Sequence, residues 1–185
     1  MNNFTHFIII TLLLATSCQS ASVQETENEM FVVNELILLR TEGMALCELA
    51  AAANPSPEVQ ATCEKLKTYY TSTQEEFTYL CTGRSVAMEE EDFDTIWKQA
   101  ENYLLKDTAN FELAFIELSS DNILRSITLH ELIVQRQDWE DIMYYAFKSL
   151  PELYYQQGNL SRLKESFYIQ KSATSLNVKT AAMDL

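Results

Sequence analysis

Two apolar runs meeting at one short turn constrain this chain more than anything else in it. Between Glu35 and Leu80, residues Leu36, Leu39, Gly43, Leu46, Cys47 and Ala50 recur at steps of three and four. After Asn54-Pro55-Ser56-Pro57, residues Val59, Cys63, Leu66, Tyr70, Phe77 and Leu80 do the same. Steps of three and four put one continuous apolar stripe on each of two helices. Pro55 disfavours helix at Asn54, and Pro57 suits the first turn of the helix that follows. So short a link makes the two helices antiparallel neighbours. The expectation is a helical hairpin, Asn28 to Ala53 and Ser56 to Cys81, with the remaining helices packed against it.

The later chain supplies those helices. Glu89-Glu90-Glu91 precedes Asp92 and suits a helix N-terminus, where negative charge is favourable. A stripe then follows: Phe93, Ile96, Trp97, Ala100, Tyr103, Leu104. Asp107 to Asn110 interrupts it with cap-type residues, so helices over 91–106 and 108–134 are expected. The longer one carries Phe111, Ala114, Phe115, Leu118, Ile123, Ile127, His130 and Ile133. From Asp138 another stripe holds Trp139, Ile142, Met143, Ala146, Leu150 and Leu153, with a kink or restart expected at Pro151. Only three Gly and three Pro in 185 residues favour helices over strands and loops, and no internal repeat is evident. The fold class expected is all-α, with an extra short helix between the two hairpins.

The first residues read as export. Phe4 to Ala15 is mostly apolar but too short to span a bilayer as a mature helix. Ala15-Thr16-Ser17 places small residues before Cys18, as in the bacterial lipobox, although Ala15 stands where Leu is usual and no Lys or Arg precedes it. Residues 1–17 are thus expected to be a lipoprotein-type signal peptide, with Cys18 the lipidation site. A plain secretory signal cut nearby is the other reading. Residues 18–27 are small and polar and suit a flexible tether. The helical domain is expected over 28–158, with a weakly ordered tail over 159–185.

Charge and side-chain chemistry narrow the function. A formal net charge of −14 repels phosphate backbones, so nucleic acid is not an expected partner. His130 is the single imidazole after the signal segment, and Ile127 stands three residues before it, where a Glu-x-x-His metal motif would need an acid. The chain has no H-E-x-x-H, Cys-x-x-Cys, G-x-S-x-G or Gly-rich phosphate loop. No catalytic residue, metal ligand or cofactor is assigned. Cys47 and Cys63 flank the hairpin turn symmetrically, so they sit level on the buried stripes. They are either a disulfide, which export would permit, or two small buried thiols. The pairs Tyr69-Tyr70, Tyr144-Tyr145 and Tyr154-Tyr155 are expected to put one ring in the core and one at the surface.

Several words in order and spacing carry a resemblance: Leu49-Ala50 with Asn54 to Val59, then Asn110 to Phe115, then Ala146 and Ser149-Leu150-Pro151-Glu152-Leu153. Over about Phe31 to Gln156 the chain resembles the exported bacterial outer-membrane proteins of domain-of-unknown-function family 4142. The resemblance implies a ferritin-like antiparallel four-helix bundle. It also implies histidines at three positions, where this chain has Tyr70, Ile123 and Gln156, and an acidic residue at Gly43, with Glu42 adjacent. The expected function is a lipid-anchored envelope protein, on the periplasmic face or surface of the outer membrane, with a non-enzymatic binding or structural role. The alternatives are a metal-binding or oxidative-stress protein, rescued by a carboxylate-only site of Glu42, Glu48 and Glu112, and a lipid-carrying bundle with a large internal cavity.

Overall fold

The computed structural model describes the backbone of residues 3–84, 89–106, 108–136 and 139–183, and side chains from residue 28 to residue 171 within those limits, Thr108 excepted. The elements among the described residues are all helical: α1 (Asn3–Ala52), α2 (Pro57–Ser72), α3 (Gln74–Cys81), α4 (Glu90–Leu105), α5 (Phe111–Val134) and α6 (Glu140–Met183), with a single 3-10 turn, Thr108–Asn110. The all-α class holds.

The hairpin forms as its stripes require. Every stripe position named above on α1, α2 and α3 is buried. Asn54 makes the turn with φ of 51°, a left-handed conformation that asparagine tolerates better than most residues. The Ser56 amide and hydroxyl both donate to the Glu112 carboxylate, which pins the turn to the start of α5.

Cross-helix pairs fix the helix directions. Glu48–Lys67 and Arg40–Thr73 run α2 antiparallel to α1. Ser56–Glu112 and Leu39–Asn122 do the same for α5 against α1. Glu117–Lys164 and Glu131–Tyr154 set α6 antiparallel to α5. Glu76–Lys148 and Arg84–Asp141 set it antiparallel to the α2–α3 arm. The helices α1, α2, α6 and α5 thus contact in a closed ring, with α1 and α6 pointing one way, α2 and α5 the other. The chain passes from α3 to α5 by way of α4, which packs chiefly along α1.

Several sequence expectations need correction. The second hairpin arm is two helices, broken at Thr73. The first helix is longer than expected. No Gly or Pro occurs before Gly43, so nothing breaks it, and residues 18–27, expected as a tether, have helical backbone. The tail is also corrected. Leu160 is fully buried, and Leu163 and Phe167 pack on the core, because the stripe of α6 continues past Gly158. The helix runs through Pro151 without a restart. Pro151 lies on the solvent face and Phe147 is exposed, so water can serve the carbonyl that proline leaves unpaired. Finally, α4 buries only Ala100 and Leu104, while Phe93, Trp97 and Tyr103 stay exposed. An outer helix needs only a narrow apolar line. Its N-terminus is as expected, with the Glu89 amide donating to Asp92 Oδ2 at 2.9 Å.

Candidate functional site

Among the described residues, one charged side chain lies inside the bundle. Arg40 is on α1, one turn beyond Leu36 on the buried stripe, and is only 8% exposed. Its Nη1 donates to Thr73 Oγ1 at 2.9 Å and to Tyr145 Oη at 3.0 Å. Its Nη2 donates to the Tyr70 carbonyl at 2.7 Å and to Gln74 Oε1 at 3.1 Å. The guanidinium also lies 4.6 Å from the Phe77 ring centroid and 5.6 Å from that of Tyr70. The break between α2 and α3 makes this possible, because a helix end leaves acceptors that an arginine can serve. Among the described residues no carboxylate pairs with it. Sequence reasoning passed over Arg40. The available signal was an arginine in register with Leu36, Gly43 and Cys47, where an apolar residue would ordinarily sit.

A second polar cluster lies beside the first. The Tyr70 hydroxyl donates to Asn122 Oδ1 at 3.1 Å. Asn122 Nδ2 donates to the Leu39 carbonyl at 2.9 Å and to Glu42 Oε2 at 2.8 Å. Arg125 pairs with the same carboxylate. Tyr70 fits only because residue 43 is glycine. A Cβ there would fall 2.5 Å from Tyr70 Cζ and 2.9 Å from Cε2, and closer still to the hydroxyl.

The positions singled out by the resemblance are all buried. Tyr70 and Ile123 share one core cluster. Gln156 is 2% exposed and donates from Nε2 to Glu152 at 2.6 Å. The three carboxylates named as a rescue do not meet. Glu42 serves Asn122 and Arg125, Glu48 faces Lys67 at 3.6 Å near the surface, and Glu112 holds the Ser56 turn. Among the described residues, no group of three or more His, Cys, Asp or Glu side chains converges.

His130, Cys47 and Cys63 are held in unreactive states. His130 Nδ1 lies 2.6 Å from the Ser126 carbonyl and so donates its proton there. Its Nε2 is buried without a hydrogen-bond partner. Burial, with a smaller push from Arg40, lowers its pKa to about 4, so it is neutral at pH 7. Cys47 and Cys63 are buried free thiols in the same cluster. Burial pushes Cys63 up to about 12, and burial with the neighbouring Cys63 raises Cys47 further. Neither is a thiolate near neutral pH, so neither is an activated nucleophile. Burial likewise raises the phenol of Tyr70 well above its ordinary value. Of the tyrosine pairs, only Tyr144-Tyr145 divides between surface and core. Tyr69 and Tyr70 are both buried, and Tyr154 and Tyr155 are both exposed. The side chain of Cys18 lies outside the described residues.

The fold and these clusters define a helical bundle-like protein organised around a hydrogen-bonded arginine. No family model matches the chain, and neither a curated protein nor a solved structure was found that is similar to it. Among the described residues, no helix is long and apolar enough to cross a membrane.

Proposed function

We propose that this is an exported, lipid-anchored envelope protein built on a ferritin-like four-helix bundle, with a non-enzymatic binding or structural role. The helix directions support the ferritin-like reading: two antiparallel hairpins joined by one long crossover, here carried by α4. That topology is the one the resemblance to family 4142 implies. A fold of this type licenses no ferritin chemistry by itself.

The observation that carries the functional reading is the Gly43–Tyr70–Asn122 contact. In the family pattern, positions 43 and 70 hold an acid and a histidine. Here the acid is absent, and a phenol fills the room it leaves. The phenol is in turn hydrogen-bonded by an amide. A buried tyrosine held neutral is a poor ligand for a divalent ion, because ligands must be deprotonated to bind metal.

The test is metal binding by the purified exported protein. Titrated with iron, zinc and manganese, it is expected to take up no stoichiometric metal at micromolar concentration. Tight stoichiometric binding would overturn the non-enzymatic reading in favour of metal handling. The anchoring half is tested separately by Cys18→Ala. The variant should lose its acyl chain and leave the membrane fraction, and an acylated variant would refute the assignment of Cys18.

A further inference from the structure

Arg40 also lines a groove on the outside of the α1–α2 hairpin. The groove, about 310 Å³, lies between α1, α3 and α4, and its walls include Met44, Gln74, Phe77, Phe93 and Trp97. That volume is at the small end of the range typical of small-molecule sites, roughly 300–1,000 Å³. Arg40 is the one charged side chain among its described lining residues, in a chain whose formal net charge is −14.

Two facts point to an anion. A buried charge is ordinarily matched by an opposite charge, because removing it from water is costly. Arg40 is met only by neutral acceptors and aromatic faces. One of those acceptors is weakly committed. Gln74 is exposed, lines the groove, and reaches Nη2 at 3.1 Å, the longest of the four bonds. A carboxylate oxygen in its place would make a charge-assisted bond, about twice as strong as a bond between neutral groups. The walls set the rest of the ligand. Phe77, Phe93 and Trp97 offer flat apolar faces, and Phe93 and Trp97 are 39% and 37% exposed although an outer helix could have carried polar residues there.

We propose that this groove binds a small aromatic monocarboxylate, its carboxylate on Arg40 in place of the Gln74 amide and its ring among Phe77, Phe93 and Trp97. The proposal deepens the reading of the protein as a binding module and rests on it.

The experiment uses the full exported chain labelled with nitrogen-15. Phenylpropionate and its neutral counterpart phenylpropanol are titrated while the Trp97 indole N–H resonance is followed. The acid should shift that resonance in a saturable way and bind at least about tenfold more tightly than the alcohol. Trp97→Ala, at an exposed rim position, should weaken binding of the acid as read by titration calorimetry, without unfolding the chain as read by circular dichroism. Gln74→Ala, which removes the competing amide, should strengthen it by about threefold. Equal affinity for acid and alcohol would reduce the groove to a non-selective apolar cleft and overturn the proposal. So would undiminished binding of the acid by Trp97→Ala, or no Trp97 shift at millimolar ligand. None of these outcomes bears on the metal titration, so the proposal fails independently of the non-enzymatic reading. Arg40→Met is the confirming variant only where its folded spectrum is retained.

Discussion

The Tyr70 ring occupies the space above Gly43, on a neighbouring helix 27 positions further along the chain, and leaves no room there for even a methyl group. A helical alanine is otherwise more favourable than glycine by about 1 kcal/mol. Gly43→Ala should nonetheless destabilise the protein, by about 1–3 kcal/mol, because the buried phenol would have to shift away from its Asn122 partner. In a Tyr70→Leu background the same substitution should be neutral or stabilising. Chemical-denaturation midpoints of the four proteins in the cycle check this. A destabilisation of equal size in both backgrounds would place the strain elsewhere.

His130 makes stability depend on pH. Its folded pKa, about 4, lies below its ordinary value of 6.5. Between those values the unfolded chain binds the proton that the folded chain refuses. Stability is therefore fully present above pH 6.5 and is lost as pH falls toward 4. By linkage the loss is about 3 kcal/mol. Urea unfolding at pH 7 and pH 4.5 should show a smaller difference for His130→Leu than for the parent. Parallel pH dependences would mean that His130 stays protonated or becomes hydrated on folding.

Leu160 extends the folded domain past Gly158. It is fully buried against the main core cluster, so Leu160→Ala should cost about 2–5 kcal/mol. An exposed control at Arg162→Ala should change stability by less than about 0.5 kcal/mol. Thermal unfolding of both variants checks the pair. A Leu160→Ala variant as stable as the control would restore the earlier domain limit at residue 158.

The cysteines should separate by burial. In the reduced native protein Cys81, which is half-buried, should react with iodoacetamide well before Cys47 and Cys63, whose thiols are buried and held protonated. Peptide mapping after timed alkylation gives the order. Rapid labelling of Cys47 or Cys63 in the folded state would show that the hairpin opens. In protein isolated from cells without reductant, a Cys47–Cys63 linked peptide would identify the pair as a disulfide.

The hairpin was legible in the sequence because its information is local. Leu36, Leu46, Leu66 and Leu80 lie at helical spacing, and Asn54 to Pro57 end one helix and start the next. Past Gly158 the stripe thins to Leu160, Leu163 and Phe167 but still meets the core. Phe93, Trp97 and Tyr103 keep the helical period yet stay exposed, since periodicity marks a face without saying how much of it finds a partner. The candidate site was less legible still. Periodicity marks Gly43, Tyr70 and Ile123 only as stripe positions, Gln156 stands out by resemblance alone, and Arg40 by neither.

What the sequence determined by itself is the all-helical class, the pairing of the first two arms and the apolar line along that hairpin. All three follow from backbone periodicity and from turn residues acting within a few positions. The tertiary structure decided where the polar residues go. Arg40 meets Tyr145 across 105 residues, and Tyr70 meets Asn122 across 52. Such contacts depend on which helices become neighbours and in what register. No spacing along the chain encodes that, because it is settled by the joint packing of all the stripes at once.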